Sequence, residues 1–420
     1  MPLTDLQNKE SQKPLCEEMF GGSMNRLRKR GPTLLRRLLP QRRRWFRNVS
    51  GRPLAAEHAS ANKCHFRKSA KSERGNVNRL FNAILFLVVI SIAIWAQRAG
   101  ADEHISLSGA GSTFSAPLYR KWIDEYSVSH HNTNITYDAV GSGEGVKRFL
   151  GETVDFAGSD EVLSKDETTK LPDAIMLPVT AGMIVLAYNI PGVNSEIKLP
   201  RDVYVDIFTK KIRKWDDPRI QAANPGVAFP RRDIALIARL EGSGTTAALT
   251  NHLAAIGPSW RAAGMGVGKQ LEWPSGVLLA PSNEGVAARI RLSEGSIGYV
   301  EFWFAQRLGL RMAALQNKSG EFITPTVNSG ELALAGRVPE VNELAASVSD
   351  PVDPGAYPIT TYSWILLYPQ YRDKIKGDAL HEFVRWCLSQ SGQNFAAQLG
   401  YLPLSADVAS IGKQALRSIP

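Results

Sequence analysis

The residues after position 102 predict an α/β fold, in which strands alternate with helices around a mixed sheet. Three observations carry this prediction: short apolar, partly β-branched runs that indicate strands, apolar residues at helical spacing after them, and glycine- and serine-rich turns that join each strand to its helix. Ligands of such sheets gather at the carboxyl ends of the strands. The turns therefore mark the expected site.

The first of these connectors follows a strand predicted over 105–108. Residues 109–113 are Gly-Ala-Gly-Ser-Thr, and apolar residues then recur every four positions as far as Tyr126. This spacing is typical of an amphipathic helix. We expect Ser112 or Thr113 to cap its amino end.

Two further connectors have the same form. A strand over 135–140 leads into a Gly-Ser-Gly turn at 141–143, and a strand over 154–157 leads into Gly-Ser-Asp at 158–160. Asp160 is unusual there, because a carboxylate repels an anion unless it accepts a hydrogen bond from a proton on that anion. A protonated phosphate carries such a proton, whereas fully ionised sulfate does not, so Asp160 would select between them. The alternative is a helix-capping or solvated aspartate.

The fourth connector combines a guanidinium group, several hydroxyls and glycine-rich backbone within one short turn. A strand over 234–238 precedes the stretch Arg-Leu-Glu-Gly-Ser-Gly-Thr-Thr at 239–246, and apolar residues at helical spacing follow. The first N–H groups of a helix lack intrahelical partners and lie at the positive end of its dipole. Together with the guanidinium they favour an oxyanion. Ser243, Thr245 and Thr246 are candidate caps of this helix.

The basic balance of the chain lies in its first 101 residues. They hold 20 of the 50 Lys and Arg but 6 of the 40 Asp and Glu, so residues 102–420 are slightly acidic. We therefore expect no nucleic-acid partner.

A targeting segment precedes the predicted α/β region. The apolar run from Leu80 to Ala96 stands behind Arg79, which predicts a signal peptide over 77–101 that is cleaved before Asp102, with a retained membrane anchor as the alternative. Residues 1–76 are expected to be a mis-set gene start or a disordered basic leader.

Enzymes are the main competing class. Glu241 occupies the first glycine position of G-x-S-x-G, no P-loop spacing occurs, and the histidines after position 102 form no H-x-x-x-H pair. We expect no enzyme, no catalytic residue, no metal and no cofactor. The alternatives left open are a phosphatase-like relative and a binder of another oxyanion such as sulfate or molybdate. Cys387 lies in an apolar helical pattern and is expected to be a buried hydrophobe.

The connectors also match a known family. The stretch 109–117, the Gly-Ser-Gly at 141–143, the stretch 154–160 and the Gly-Ser-Gly-Thr at 242–245 follow one another in that family's order, with further matches at 211–217, 298–301 and 357–360. Residues 102–420 thus resemble the periplasmic phosphate-binding proteins of bacterial ABC phosphate transporters.

The resemblance implies a two-lobed periplasmic binding protein of type II, with mixed sheets flanked by helices and the ligand in the cleft. Lobe 1 would comprise residues 102–180 and 355–420, and lobe 2 residues 181–354. The resemblance also implies high-affinity binding of inorganic phosphate in the periplasm, delivery to membrane permease subunits, and a monomer.

The family's phosphate ligands carry over by motif position to Thr113, Phe114, Ser142, Asp160, Arg239, Ser243, Gly244 and Thr245. One position departs from the family pattern. The family usually has Asp where this chain has Glu241, and that Asp is held to pair with the arginine. The extra methylene puts the position of Arg239 and the affinity in question.

Overall fold

The computed structural model describes Arg79 and residues 81–91, 104–335 and 350–417. The predicted leader and about half of the predicted signal peptide lie outside these residues. Residues 81–91 are helical (α1) and their side chains are exposed. Within the part of the chain that is described, no helix is long and apolar enough to cross a membrane. The chain divides into two units, Met1–Ala83 and Ile84–Pro420, and the second contains all the elements below.

Twelve strands lie in the described residues. They are β1 (Ile105–Gly111), β2 (Thr133–Asp138), β3 (Phe156–Ser159), β4 (Ile175–Asn189), β5 (Lys198–Leu199), β6 (Ala235–Arg239), β7 (Leu278–Ala280), β8 (Ser296–Glu301), β9 (Arg311–Met312), β10 (Ala314–Gln316), β11 (Phe322–Ile323) and β12 (Thr360–Leu367).

The helices alternate with these strands. They are α2 (Ala116–Ser127), α3 (Ser142–Leu150), α4 (Lys165–Lys170), α5 (Arg201–Phe208), α6 (Pro218–Ala223), α7 (Gly244–Ile256), α8 (Pro258–Ala262), α9 (Ser282–Leu292), α10 (Phe302–Arg307), α11 (Val327–Leu334), α12 (Lys374–Cys387), α13 (Gln390–Gln398) and α14 (Ala406–Arg417). The alternation confirms the predicted α/β class.

A mixed nine-stranded sheet runs through the unit in the order β2-β1-β3-β12-β4-β8-β6-β7, with β9 added beside β4. The pairs β1/β2, β1/β3, β6/β8 and β6/β7 are parallel, whereas β12 is antiparallel to both β3 and β4. A small sheet, β11-β10-β5, lies apart from it. The parallel pairs bring the predicted connectors to common sheet edges, as parallel strands require.

Strand β4 connects the two halves of the sheet. Its first part pairs with β12, where Ile175 lies opposite Leu367, and its second part pairs with β8, where Asn189 lies opposite Ser296. Nearly all of its 15 residues are buried, as expected for a strand with helices on both faces. The assignment of residues 102–180 and 355–420 to one lobe and 181–354 to the other stays a prediction, and the position of β4 at its boundary supports it.

The capping residues correct one prediction and confirm another. Helix α2 begins after Ser115, so the expected cap at Ser112 or Thr113 is wrong. The Ser112 hydroxyl instead accepts the backbone N–H groups of Phe114 and Ser115, at 3.0 and 3.3 Å, and residues 113–115 form a bend before the helix. Ser243 does cap α7, because its hydroxyl accepts the N–H of Thr246 at 3.3 Å. Cys387 is buried and free of disulfides, as expected.

Candidate functional site

The four predicted connectors meet where β1, β2, β3 and β6 end and the chain turns away from the sheet. Their buried polar residues contact one another, together with the start of α9, and we call this group the anion cage. It consists of Ser112, Thr113, Ser142, Asp160, Arg239, Gly244, Thr245 and Asn283. Of the eight predicted ligand residues, six are therefore brought together directly.

Asp160 is the buried carboxylate of the cage and is 3% exposed. Its Oδ1 accepts hydroxyl hydrogen bonds from Ser112 at 2.6 Å and Ser363 at 2.8 Å. Its Oδ2 lies 3.3 Å from the hydroxyl of Ser142, which also accepts the Asp160 N–H. These partners rule out a solvated side chain and fix the carboxylate in one orientation.

The pKa of Asp160 is raised to about 6. Burial in a site of low dielectric is the largest cause, because it disfavours the charged form. Hydrogen bonds from Ser112 and Ser363, the nearby charge of Arg239 and the hydroxyl of Ser142 lower the pKa but do not outweigh burial. At pH 7 and above the side chain is therefore a carboxylate that can accept a hydrogen bond from a protonated ligand.

Arg239 is the cation of the cage, and its side chain is almost fully buried. Its Nη2 donates to the Thr113 hydroxyl at 3.0 Å, and its Nη1 donates to the Thr245 hydroxyl at 3.3 Å. Thr113 and Thr245 belong to different predicted lobes. The guanidinium therefore joins both sides of the cage.

Glu241 forms an ion pair with Arg239 in spite of its extra methylene. Its Oε1 accepts from Nη2 of Arg239 and, at 3.0 Å, from Nε. The same carboxylate accepts the N–H of Ser282, which begins α9, at 3.0 Å. The longer side chain thus pairs with the arginine and links it to a second helix.

Gly244 lies at the closest approach between the two sides of the cage. A Cβ built on it would lie 2.7 Å from both the Cβ of Asp160 and the hydroxyl oxygen of Ser142. Nearby, the N–H of Gly143 donates to the carbonyl of Gly242 at 3.0 Å. The backbones of the α3 and α7 turns therefore touch, and side chains in place of these glycines would crowd the contact.

Two of the predicted ligand residues, Phe114 and Ser243, use polar groups in hydrogen bonds within the protein. The Phe114 ring is fully buried in the core, and its N–H is directed to Ser112. The Ser243 hydroxyl caps α7, and its N–H donates to the carbonyl of Lys269 at 2.8 Å. Their roles as ligands stay predictions.

Asn283 and Ser363 belong to the site but are absent from the sequence-based prediction. Asn283 is fully buried at the start of α9, and its Nδ2 donates to the hydroxyls of Thr113 and Thr245 at 3.0 and 3.2 Å. A signal for it exists, because β7 and the Pro-Ser-Asn-Glu-Gly stretch at 281–285 form a fifth strand–turn–helix connector. Ser363 lies in the middle of β12, where the local sequence carries no such signal.

The charged residues of the cage limit the kinds of ligand that it can bind. It contains one cation, Arg239, against the carboxylates of Asp160 and the adjoining Glu241, so any anion depends on hydroxyl and helix N–H donors. Within residues 104–335 and 350–417 no cluster of His, Cys, Asp or Glu could hold a metal ion. The Nε2 of His252 is hydrogen-bonded to the Tyr204 hydroxyl at 2.9 Å, and burial lowers the pKa of His252 to about 3.

The sequence matches the family model described as a PBP superfamily domain over residues 96–391. Among characterised relatives, the chain is 34% identical to phosphate-binding protein PstS of Haemophilus influenzae over 308 residues, which cover 73% of this chain and 90% of that protein. It is 33% identical to phosphate-binding protein PstS of Xylella fastidiosa strain Temecula1, with 73% and 83% covered.

Solved structures show the same fold. The chain resembles the phosphate-bound, high affinity periplasmic phosphate-binding protein PfluDING with a TM-score of 0.60 and 19% identity, covering 74% of this chain and 93% of that one. A phosphate-binding protein from Stenotrophomonas maltophilia gives a TM-score of 0.59 with the same identity and coverage. With its connectors, its sheet and its sequence in agreement, the chain belongs to the PstS family of phosphate-binding proteins within the PBP superfamily.

Proposed function

We propose that this protein binds inorganic phosphate in the anion cage and delivers it to the membrane permease subunits of an ABC phosphate importer. The observation that carries the proposal is the pairing of a buried acceptor, Asp160, with a buried cation, Arg239, in one cage of hydroxyl and N–H donors. The PstS relatives, which are named for phosphate binding, support the same function.

Asp160 favours phosphate over other oxyanions. Phosphate near neutral pH still carries a proton that it can donate to the carboxylate in a hydrogen bond, whereas sulfate and molybdate would place a lone pair against it. An unpaired buried acceptor that faces a charged oxygen rejects such an analogue by roughly 10⁴-fold. The phosphate oxygens would be bound by Thr113, Phe114, Ser142, Arg239, Ser243, Gly244 and Thr245.

The protein acts, in this proposal, as a monomeric carrier in the periplasm after removal of the signal peptide over 77–101. It performs no chemical step. The hydroxyls of Ser112 and Ser142 donate to the Asp160 carboxylate, and His252 is hydrogen-bonded to Tyr204, so neither hydroxyl is paired with an imidazole that could activate it as a nucleophile. A phosphatase-like activity would appear as release of p-nitrophenol from p-nitrophenyl phosphate, and we expect none.

Titration calorimetry tests the proposal. The purified protein is freed of bound anion and titrated with phosphate, sulfate and molybdate at pH 8. We expect tight binding of phosphate and far weaker binding of the other two. Equal affinity for phosphate and sulfate, or no phosphate binding, would overturn it.

A further inference from the structure

Asn283, like Arg239, donates hydrogen bonds to two threonine hydroxyls of the cage. Each of the two side chains donates to both threonine hydroxyls: Arg239 through Nη2 and Nη1, and Asn283 through Nδ2. The backbone N–H of Asn283 adds a third donor to the Thr113 hydroxyl, at 3.2 Å. Thr113 belongs to predicted lobe 1, while Asn283 and Thr245 belong to predicted lobe 2.

The orientation of the Asn283 amide is determined by its neighbour. The N–H of Glu301, at the end of β8, donates to Oδ1 of Asn283 at 3.0 Å. An amide oxygen accepts and an amide nitrogen donates. Because the oxygen is held by Glu301, the NH₂ group faces the two threonines.

These contacts restrict the two hydroxyl protons. A hydroxyl has one donor and two acceptor lone pairs. The Thr113 oxygen has three N–H donors within 3.2 Å, and the Thr245 oxygen has two within 3.3 Å. None of these groups can accept a proton, and no acceptor for either hydroxyl lies among the described residues. With the lone pairs of the two oxygens occupied by N–H donors, each O–H proton points away from them and can be donated to a ligand in the cage.

We infer that Asn283 is a positioning residue for anion binding, which makes Thr113 and Thr245 donate to the ligand and which couples that donation to closure of the two sides. The inference rests on the proposed function, because the ligand used is phosphate. Asn283 acts through the hydroxyls of the two threonines. Preorganised donors raise affinity because less ordering is needed when the ligand binds.

A double-mutant cycle tests this role by equilibrium dialysis with radiolabelled phosphate. We expect Asn283→Ala to weaken phosphate binding about tenfold, which corresponds to the loss of roughly one or two hydrogen bonds. In a Thr113→Val background, which lacks the hydroxyl, the same change should weaken binding by only about twofold to threefold. Full additivity, or an unchanged Kd for Asn283→Ala, would overturn the inference, since a packing role alone does not depend on the hydroxyl.

Two further variants complete the design. Asn283→Asp keeps the shape and the acceptor for the Glu301 N–H, so it should fold, but it turns the hydroxyl protons away from the cage; wild-type affinity in this variant would also refute the role. Asn224→Ala is the matched control, because Asn224 is a buried asparagine whose amide bonds the carbonyls of Lys198 and Ile220. It should lower the melting temperature without changing the phosphate Kd. Failure of the wild-type protein to bind phosphate would refute the proposed function itself.

Discussion

Gly244 lies so close to Asp160 that a Cβ on the glycine would be 2.9 Å from the aspartate's backbone nitrogen. The two residues lie in turns that are 84 positions apart and on opposite sides of the cage. Because the obstructing atoms include backbone, a side chain at Gly244 has no easy route to relax. The contact between Gly244 and Asp160 requires the two sides of the cage to be closed against each other.

Gly244→Ala is therefore expected to impair phosphate binding without impairing folding. The methyl group blocks the approach to Asp160 and Ser142, and we expect the Kd for phosphate to rise by on the order of a hundredfold, the cost of a buried steric clash. Alanine has a higher helix propensity than glycine, so it should not destabilise the first turn of α7. Calorimetric titration and thermal unfolding of the ligand-free protein measure the two effects.

The control is Gly266→Ala, because a Cβ at Gly266 meets nothing within 4 Å. Its Kd should equal that of the wild type. A Gly244→Ala protein that binds phosphate normally would contradict the closed arrangement.

Asp160 makes the stability of the ligand-free protein depend on pH. Its pKa rises from 3.8 to about 6 on folding because of burial, so the native state holds the proton more tightly than the unfolded chain does. The resulting stabilisation is fully present below about pH 4 and is lost as the pH rises through about 6. We expect the loss to be about 3 kcal/mol, at 1.36 kcal/mol per pKa unit.

Asp160→Asn isolates this contribution. The amide does not titrate, so denaturant unfolding at pH 4 and pH 7 should show the variant gaining stability relative to the wild type as the pH rises. A constant difference between the two proteins at both pH values would show that the carboxylate is not desolvated as the structure indicates.

Selectivity should change in the same variant. The side-chain amide of Asp160→Asn replaces one carboxylate oxygen with an N–H donor group and removes the negative charge, so the variant should bind phosphate less tightly and sulfate more tightly, and the phosphate/sulfate ratio should fall at pH 8. Titration with both anions measures the ratio. An unchanged ratio would count against the role of Asp160 as acceptor for the phosphate proton.

Lys269 and Glu167 form an ion pair between the two predicted lobes. The Nζ of Lys269 lies 2.9 Å from both carboxylate oxygens of Glu167, and the two side chains are 13% and 22% exposed. Burial raises the pKa of Glu167, but hydrogen bonds from Lys269 and Ser164 outweigh it and lower the pKa overall. The pair exists only when the cleft is closed in the proposed two-lobed arrangement.

Lys269→Ala should therefore speed the release of phosphate. We expect a coupling of about 1 kcal/mol between Lys269→Ala and Glu167→Ala in the rate constant for phosphate dissociation, at the upper end of the range for surface ion pairs and smaller at high salt. Stopped-flow dissociation at two salt concentrations measures it. Lys121→Ala, which removes a pair with Glu125 inside α2, is the control and should have no effect on release.

The sequence predicted the local elements of the site because their signals are local. A strand, a Gly/Ser turn and a helical apolar pattern lie next to one another in the chain, and the structure confirms them at β1/α2, β2/α3 and β6/α7. These same turns, which follow one another in the order of a known family, also carry the resemblance to that family. The cap of α2 was misplaced because Ser112 is engaged by Asp160, 48 positions away.

The sequence alone was enough to predict an α/β protein with a set of turns suited to an oxyanion, and to predict Asp160 as the acceptor and Arg239 as the cation. The side chains that contact these two residues depend on the folded arrangement of distant segments. Ser363 contacts Asp160 across 203 positions, and Asn283 contacts Thr113 across 170. Such partners are selected by sheet order and by the closure of two surfaces, and no periodicity or spacing in the chain encodes a contact between distant turns. The chain does contain a fifth connector at Asn283, but its contact with Thr113 is visible only once the two turns are brought together by the fold.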